Sequence, residues 1–275
     1  NWELCISDGN SDQAIQEVLD NFSRSTPKIK IIHQDKNLGI SGNSNEALKL
    51  ATGEYIALLD HDDLLAPNAF YEVVQCLNAD RDLDFVYTDK DLVTEDGKYR
   101  FQPLFKPDWS PEIMLTANYL THLTVIRKRL VDEAGGFVPE MDGAQDWDLF
   151  NKITEKTNRI HHVQKVLYHW RESSKSCAME GYAAKPFVPE AQKSAIRCHL
   201  QRCGLSGDVI FDPIPRILWN LKRRYRVSII IPTKDNVHLL EACINSILLK
   251  STYENFEILI IDTGSTDPET LNYLH

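Results

Sequence analysis

The sequence predicts an α/β fold, a largely parallel sheet with helices on both faces, and two observations predict it. Short apolar runs alternate with longer segments whose apolar residues recur at spacings of three and four, the pattern of strands joined by crossover helices. Carboxylates also stand at the ends of successive apolar runs: Asp8, Asp60, Asp62 and Asp89. Ligands in such sheets bind beyond the carboxyl ends of strands, so these acids are expected to converge on one edge.

Taken in order, residues 2–6 read as a strand leading into a polar turn. A helix follows with Ile15, Val18, Leu19 and Phe22 on one face. Ile29-Lys30-Ile31-Ile32 is a second strand, and residues 37–43 form a loop in which Ser41 is placed to cap the next helix. That helix carries Ala47, Leu48 and Ala51 and stops at Gly53. Residues 54–59 are a third strand. A helix with Phe70, Val73, Val74 and Leu77 begins after Ala66-Pro67, and residues 84–88 are a fourth strand. Residues 101–109, rich in aromatics and prolines, read as a loop over the site. Residues 122–126 are strand-like, Gly135-Gly136 marks a turn, and residues 142–153 run from a polar loop into a helix. Residues 160–170 make one or two short strands, and the helix 191–203 stops at Gly204.

The third strand carries the sharpest chemical signal. Tyr55-Ile56-Ala57-Leu58-Leu59 ends in Asp60-His61-Asp62-Asp63, three acids in four residues. Unpaired carboxylates at the end of a buried strand are costly, and a divalent cation removes that cost. Asp60 and Asp62 can face one oxygen-ligated ion, and Mg²⁺ or Mn²⁺ prefers such hard ligands. The alternative is a solvated acidic turn.

Composition excludes several classes. The 275 residues are 43% hydrophobic and 25% charged, as in a globular protein with a sizeable core. A net charge of −10 argues against a nucleic-acid partner. Lys222-Arg223-Arg224 with Arg226 reads as a solvated linker. No apolar stretch approaches the ~20 residues of a membrane span, and no signal-peptide pattern opens the chain. Cys5, Cys76, Cys177, Cys198, Cys203 and Cys243 form no C-x-x-C pair, which suits reduced, zinc-free thiols in a cytoplasmic setting.

The end of the chain repeats its beginning. Asn1-Trp2-Glu3-Leu4-Cys5-Ile6-Ser7-Asp8 aligns without gaps to Asn255-Phe256-Glu257-Ile258-Leu259-Ile260-Ile261-Asp262, and Ser11 matches Ser265. The second copy is preceded by a strand, Val227-Ser228-Ile229-Ile230-Ile231-Pro232-Thr233, and by a helix carrying Leu240, Ile244 and Ile247. The first copy has no counterpart of these. The expected domain map is therefore a first domain at 1–204, a linker at 205–226, and the opening part of a second domain at 227–275. The chain reads as a segment of a tandem protein. A docked arrangement, in which 227–250 fills the place left open in the first domain, requires residues 227–231 to pair with 2–6 and 54–59.

These motifs together resemble family 2 glycosyltransferases of the GT-A fold, nearest to the tandem-domain bacterial enzymes that build surface polysaccharides. The resemblance rests on the opening strand 227–233, the turns at Asp8 and Asp262, Asn37-x-Gly39 with Asn45, Asp60-His61-Asp62-Asp63, Gly135-Gly136-Phe137, Gly143-Ala144-Gln145-Asp146-Trp147-Asp148-Leu149 and Leu167-Tyr168-His169-Trp170-Arg171. It covers essentially the whole chain, with the first domain lacking its opening strand and helix. It implies an inverting, metal-assisted transfer from a nucleotide-diphosphate sugar to a hydroxyl of a glycan or lipid-linked glycan, in the cytoplasm at the inner face of the membrane. Asp62 and Asp60 then hold Mn²⁺ or Mg²⁺ or contact the ribose, and Asp146 falls where the family carries its base. Asp8, Asn37, Gly39 and Asn45 fall on nucleotide-pocket positions. Trp109, Trp147, His169 and Arg171 fall toward the acceptor or diphosphate.

Each assignment has a structural alternative. Asp8, Asn37 and Asn45 suit loop chemistry and helix capping, and Asp146 suits a helix N-terminus. Trp109 suits a packing anchor. Tyr168 and Trp170 suit a core-facing alternation that leaves His169 and Arg171 exposed. The chain departs from the resemblance at Asp8-Gly9, where the family has two adjacent acids. A rival class is a non-catalytic nucleotide-sugar or glycan-binding segment. A phosphohydrolase, a nucleotidyltransferase and a dinucleotide oxidoreductase each lack their motif here.

Overall fold

The computed structural model describes residues 1–172 and 186–275, so Cys177 lies outside the described residues. The chain divides into two compact units, Asn1–Trp219 and Asn220–His275. The first unit begins with β1 (Leu4–Asp8), α1 (Gln13–Ser25), β2 (Ile29–His33), α2 (Gly39–Leu50), β3 (Tyr55–Leu58), β4 (Leu64–Leu65) and α3 (Ala69–Ala79). It continues through β5 (Phe85–Val93), β6 (Arg100–Leu104), α4 (Pro111–Met114), β7 (Thr124–Arg127) and α5 (Lys128–Glu133). A 3₁₀ turn (Pro139–Met141) precedes α6 (Gln145–Thr154), β8 (Ile160–Arg171), α7 (Val188–Arg202), β9 (Gly207–Phe211) and β10 (Pro215–Trp219).

The main sheet is mixed, where the sequence suggested a largely parallel one. Its strands run β3-β7-β5-β8-β4, with β6 on the far part of β5, and of these pairs β5–β8 is parallel while the others are antiparallel. Parallel neighbours need a long crossover, whereas antiparallel ones need only a turn. Between β5 and β7 the chain has no crossover helix, just the one-turn α4. A tight turn at Gly97, with φ +75°, folds β6 back on β5. Residues 100–104 are therefore a strand and not a loop. β1 and β2 form a separate parallel pair.

The fully apolar start of β5 is explained by burial on both faces. Phe85 and Tyr87 point into one cluster with Leu120, Ile126, Trp147 and Phe150, whereas Val86 points into another with Val73, Leu123, Val125 and Leu167. Helices α6 and α7 cover the first face and α3 the second. On α3 the buried residues are Ala69 and Val73, while Phe70 and Val74 are exposed. The apolar face of α1 (Ile15, Val18 and Phe22) is likewise exposed.

Asp84 opens β5 and is fully buried. It accepts from Arg127 Nε at 3.0 Å, Thr157 Oγ1 at 2.7 Å and Arg159 Nη2 at 2.6 Å. Arg127 also reaches the carbonyl of Leu83 and lies over the Tyr55 ring, so one carboxylate ties together β3, β5, β7 and the approach to β8. Burial pulls the Asp84 carboxyl upward, but the bonds from Thr157, Arg159 and Arg127 outweigh it and hold the group below its ordinary value.

The region expected to be a linker at 205–226 is in part folded. β9 and β10 pair as an antiparallel hairpin, and Val209 is buried with Ile196 and Leu200 of α7. The hairpin closes the first unit, which ends at Trp219. The alternating residues of Gly207-Asp208-Val209-Ile210-Phe211 carry that strand signal, and Asp212-Pro213 is its turn.

The second unit contains β11 (Val227–Thr233), α8 (Val237–Lys250), β12 (Phe256–Asp262) and α9 (Pro268–Leu274). β11 pairs in parallel with β12 along its whole length, so its ladder is formed inside this unit rather than as the docked arrangement requires. Among the described residues no helix is long and apolar enough to cross a membrane.

Asp84→Asn should cost about 1.5–3 kcal/mol, the range for a hydrogen bond to a charged group, because it removes the charge that Arg127 and Arg159 share while leaving Arg127 its carbonyl partners. The loss would be read as reduced hydrogen-exchange protection of β5 amides. The sign of the pH effect follows from the depressed carboxyl. Its contribution is complete above the unfolded value of about 3.9 and is lost as pH falls through the lower folded value. β5 protection in the unsubstituted chain should thus hold from neutral pH to about 4 and fall below it, with that fall reduced in Asp84→Asn.

Candidate active site

The acids at the end of β3 are held by the floor formed by β8. Asp63 accepts from Tyr168 Oη at 2.5 Å and from the backbone N–H of Arg171 at 2.8 Å. Arg171 Nε donates to the carbonyl of Asp62 at 2.6 Å, and its Nη1 to the carbonyl of Glu95 at 2.7 Å. These bonds fix the loop so that Asp60 and Asp62 project from it, with side chains 57% and 49% exposed. The backbone N–H of Asp60 donates to Tyr168 Oη at 3.3 Å.

Asp60, Asp62, Asp63 and Asp146 share one electrostatic site. Burial among protein atoms, followed by the charges of Asp63, Asp146 and Asp62, pushes the Asp60 carboxyl up to about 6. Burial also raises Asp63 and Asp146. Asp146 is the second residue of α6, half-buried, and its Oδ1 accepts from the Trp147 N–H at 2.8 Å. A carboxylate near a helix N-terminus is favoured by the dipole, and here the same residue faces the acids of β3.

Three residues that sequence reasoning did not assign complete the floor. Tyr168 and Lys90 are ladder neighbours on β8 and β5. His122 stacks on Tyr168 with centroids 4.9 Å apart, and its Nε2 lies 3.6 Å from Asp60 Oδ2. Burial, then the charges of Lys90 and Lys106, pushes His122 down to about 3, so it is neutral near pH 7. Lys90 lies 4.2 Å from the Trp170 ring centroid, and burial lowers it to about 8. The only sequence signal for Lys90 was its position one residue beyond Asp89 at a strand end.

The nucleotide-side candidates form two groups. Asp8 is buried and accepts from Ser11 N–H at 3.0 Å, with its other oxygen 2.9 Å from His33 Nδ1. Burial opposes ionisation, but the bonds from Ser11 and His33 hold its carboxyl below the ordinary range. Asp12, not Asp8, caps α1. Asn37 Oδ1 accepts from Gly39 N–H and from Asn43 Nδ2, both at 2.9 Å. Gly9 packs against this pair: a Cβ there would meet Asn43 Nδ2 at 2.7 Å, which accounts for the single acid in the Asp8-Gly9 turn.

The Asn45 side-chain amide is engaged with the backbone of Phe137 at 2.8 and 2.9 Å. Ser41 lies inside α2, whose first N–H groups are capped by Asp142 from the far side of the unit. Gly39 at φ +78° admits that carboxylate, since a Cβ would come within 2.8 Å of it. Trp147 is buried and donates to the Met114 carbonyl at 2.8 Å, so it is a core anchor. Trp109 packs half-buried on the same core. His169 is buried, with Nδ1 2.5 Å from Asp91 and Nε2 3.3 Å from Arg100. Arg171 acts on the acidic loop through backbone carbonyls.

A second cluster involves cysteine. Glu155, His199 and Cys203 place ligand atoms within 4.8 Å of one another. Arg202 already donates to both oxygens of Glu155, which disfavours a cation there.

A two-sided sheet with a carboxylate cluster at strand ends and a separate turn bearing Asp8 defines the class. The chain belongs to glycosyl transferase family 2, whose model matches residues 1–133 and 228–272. It is 41% identical over 280 residues to the uncharacterized protein y4gI of Sinorhizobium fredii, covering 99% of this chain and 31% of that protein. It is 32% identical over 277 residues to the O-antigen biosynthesis protein RfbC of Myxococcus xanthus, covering 99% of this chain and 22% of that protein. The chain thus spans less than a third of the length of either relative. Its α/β fold matches GT-A glycosyltransferases. The crystal structure of S. aureus TarS residues 1–349 superposes with a TM-score of 0.51 at 18% identity, covering 73% of this chain and 61% of that one. The same protein in complex with UDP gives 0.50 at 18% identity, covering 73% and 62%.

Tyr168→Phe keeps the ring under His122 but removes the donor to Asp63. It should destabilise the loop by about 1.5–3 kcal/mol, the range for a hydrogen bond to a charged group. Faster amide exchange at Asp62, Asp63 and Arg171 would report it.

Proposed function

We propose that this chain carries the donor site and catalytic base of an inverting glycosyltransferase acting in bacterial surface polysaccharide synthesis. The donor is a nucleotide-diphosphate sugar and the acceptor a hydroxyl of a glycan or lipid-linked glycan. The observation that carries this reading is the meeting of Asp60, Asp62 and Asp63 with Asp146, two sequence-distant acid sets acting on one another in one site. Family membership and the O-antigen biosynthesis relative support the same reading.

The residues fit a hard divalent ion. Asp62 and Asp60 offer carboxylate oxygens on a fixed loop, and the Asp60 carboxyl is raised first by burial and then by the charges of Asp63, Asp146 and Asp62, a cost that a bound cation would offset. Bound Mn²⁺ or Mg²⁺ would supply charge stabilisation to the departing diphosphate. Asp146 takes the proton from the acceptor hydroxyl. Burial raises its carboxyl above the ordinary value, which makes it a stronger base than a solvated aspartate. Asp8, with lone pairs left beyond Ser11 and His33, and the Asn37–Gly39 loop meet the nucleotide.

We read the second unit as the opening part of a second domain of the same kind. Its β12 repeats β1 in sequence, and Asp262 accepts from Ser265 N–H at 3.0 Å as Asp8 does from Ser11. β12 pairs with a strand that precedes it, β11, whereas β1 pairs with β2.

Calorimetry with UDP- and GDP-sugars, with and without Mn²⁺, tests the reading. Asp62→Asn should abolish metal-dependent donor binding. Asp146→Asn should retain binding and lower transfer by about 10²–10⁴-fold. Donor binding with activity indifferent to Asp146→Asn would favour the non-catalytic binding segment.

A further inference from the structure

The acidic site has a large charge imbalance. Asp60, Asp62, Asp63 and Asp146 carry four formal negative charges, and a divalent ion answers two of them. A nucleoside diphosphate brings more negative charge into the same space. Some cation of the protein has to face it.

The described cations near the site are mostly committed. Arg171 is bound to the carbonyls of Asp62 and Glu95. Lys106 is buried beneath the floor and donates to the carbonyls of Leu120 at 3.2 Å and His122 at 3.0 Å. His122 is neutral. Lys90 differs from these. Its Nζ lies over the Trp170 ring at 4.2 Å, and no described residue accepts a hydrogen bond from it or lies within ion-pair distance. The charges of Asp63, Asp146 and Asp60 all act on it, so it sits among the acids without closing on any one.

The strand register explains this placement. Lys90 lies opposite Tyr168, and Leu92 opposite Trp170. Cross-strand and diagonal neighbours on one face are within reach of long side chains. Lys90 therefore rises from the same floor that holds Asp63 through Tyr168. The Trp170 ring holds the ammonium by cation–π attraction and leaves its N–H donors unused.

We infer that Lys90 is a donor-binding residue that contacts the β-phosphate of the nucleoside diphosphate, the phosphate nearest the transferred sugar. The inference rests on the transferase reading above. The β-phosphate is chosen because Lys90 stands opposite Tyr168, whose hydroxyl is bound to Asp63 and to the Asp60 amide, so the lysine rises beside the acidic loop that would hold the metal and the diphosphate. A lysine suits this task as a compact point charge with three rotatable donors.

The test compares UDP with UMP, and GDP with GMP, each titrated with Mn²⁺ into the full chain. Lys90→Met should weaken the diphosphate about 10- to 100-fold, the range for a charge-assisted hydrogen bond. Monophosphate affinity should stay within about twofold, which also reports that the variant is folded. Lys90→Arg should recover most of the diphosphate affinity. Unchanged diphosphate binding in Lys90→Met would overturn the inference while leaving the transferase reading intact. So would an equal loss of mono- and diphosphate binding in both Lys90→Met and Lys90→Gln. Failure of the unsubstituted chain to bind either diphosphate would overturn the transferase reading and this inference with it.

Discussion

The site depends on how Asp63 is held. Four carboxylates within one concavity repel one another, and left to themselves they would swing into solvent. Asp63 prevents this for its loop, because Tyr168 Oη and the Arg171 N–H bind its two oxygens from the strand below. With Asp63 anchored, Asp60 and Asp62 have fixed origins three residues and one residue earlier. Tyr168 in turn is fixed by full burial and by His122 stacked on its ring. The order of support runs from the apolar sheet to the phenol, to Asp63, and only then to the exposed acids.

The same sheet carries two kinds of burial that do opposite things to charge. At the start of β5, Asp84 is enclosed with guanidinium groups, and its carboxyl is held low. Near the site, burial raises both Asp60 and Asp146, and at Asp60 the charges of Asp63, Asp146 and Asp62 add to it. Burial therefore raises a carboxyl unless hydrogen bonds and cations outweigh it, as they do at Asp84. One end of the strand is built for rigidity, and the other retains unneutralised charge.

Much of this was legible in the sequence, and the limits are specific. The strand end at Asp60-His61-Asp62-Asp63 and the helix entry at Asp146 could be read because each joins a periodicity to an acid. That they face one another is a property of the sheet. The mixed strand order was hidden because periodicity does not encode direction, and β6 was obscured by Pro103 and Pro107. Tyr168 was expected to turn inward, as it does, but its hydroxyl's partner belongs to another strand end. His169 was expected to be exposed or near the diphosphate; Asp91 and Arg100 bury it instead, a pairing set by β5–β8 register and by the β6 turn. Lys90 was passed over because a single lysine in an apolar strand has no local signature.

The contact between Gly9 and Asn43 couples two loops that are far apart in sequence. A Cβ at position 9 would come within 2.7 Å of Asn43 Nδ2, so a side chain there has to move the amide that now donates to Asn37. Asn37 in turn accepts from the Gly39 N–H at the start of α2. A change in the short turn after β1 is therefore felt at the entrance of α2.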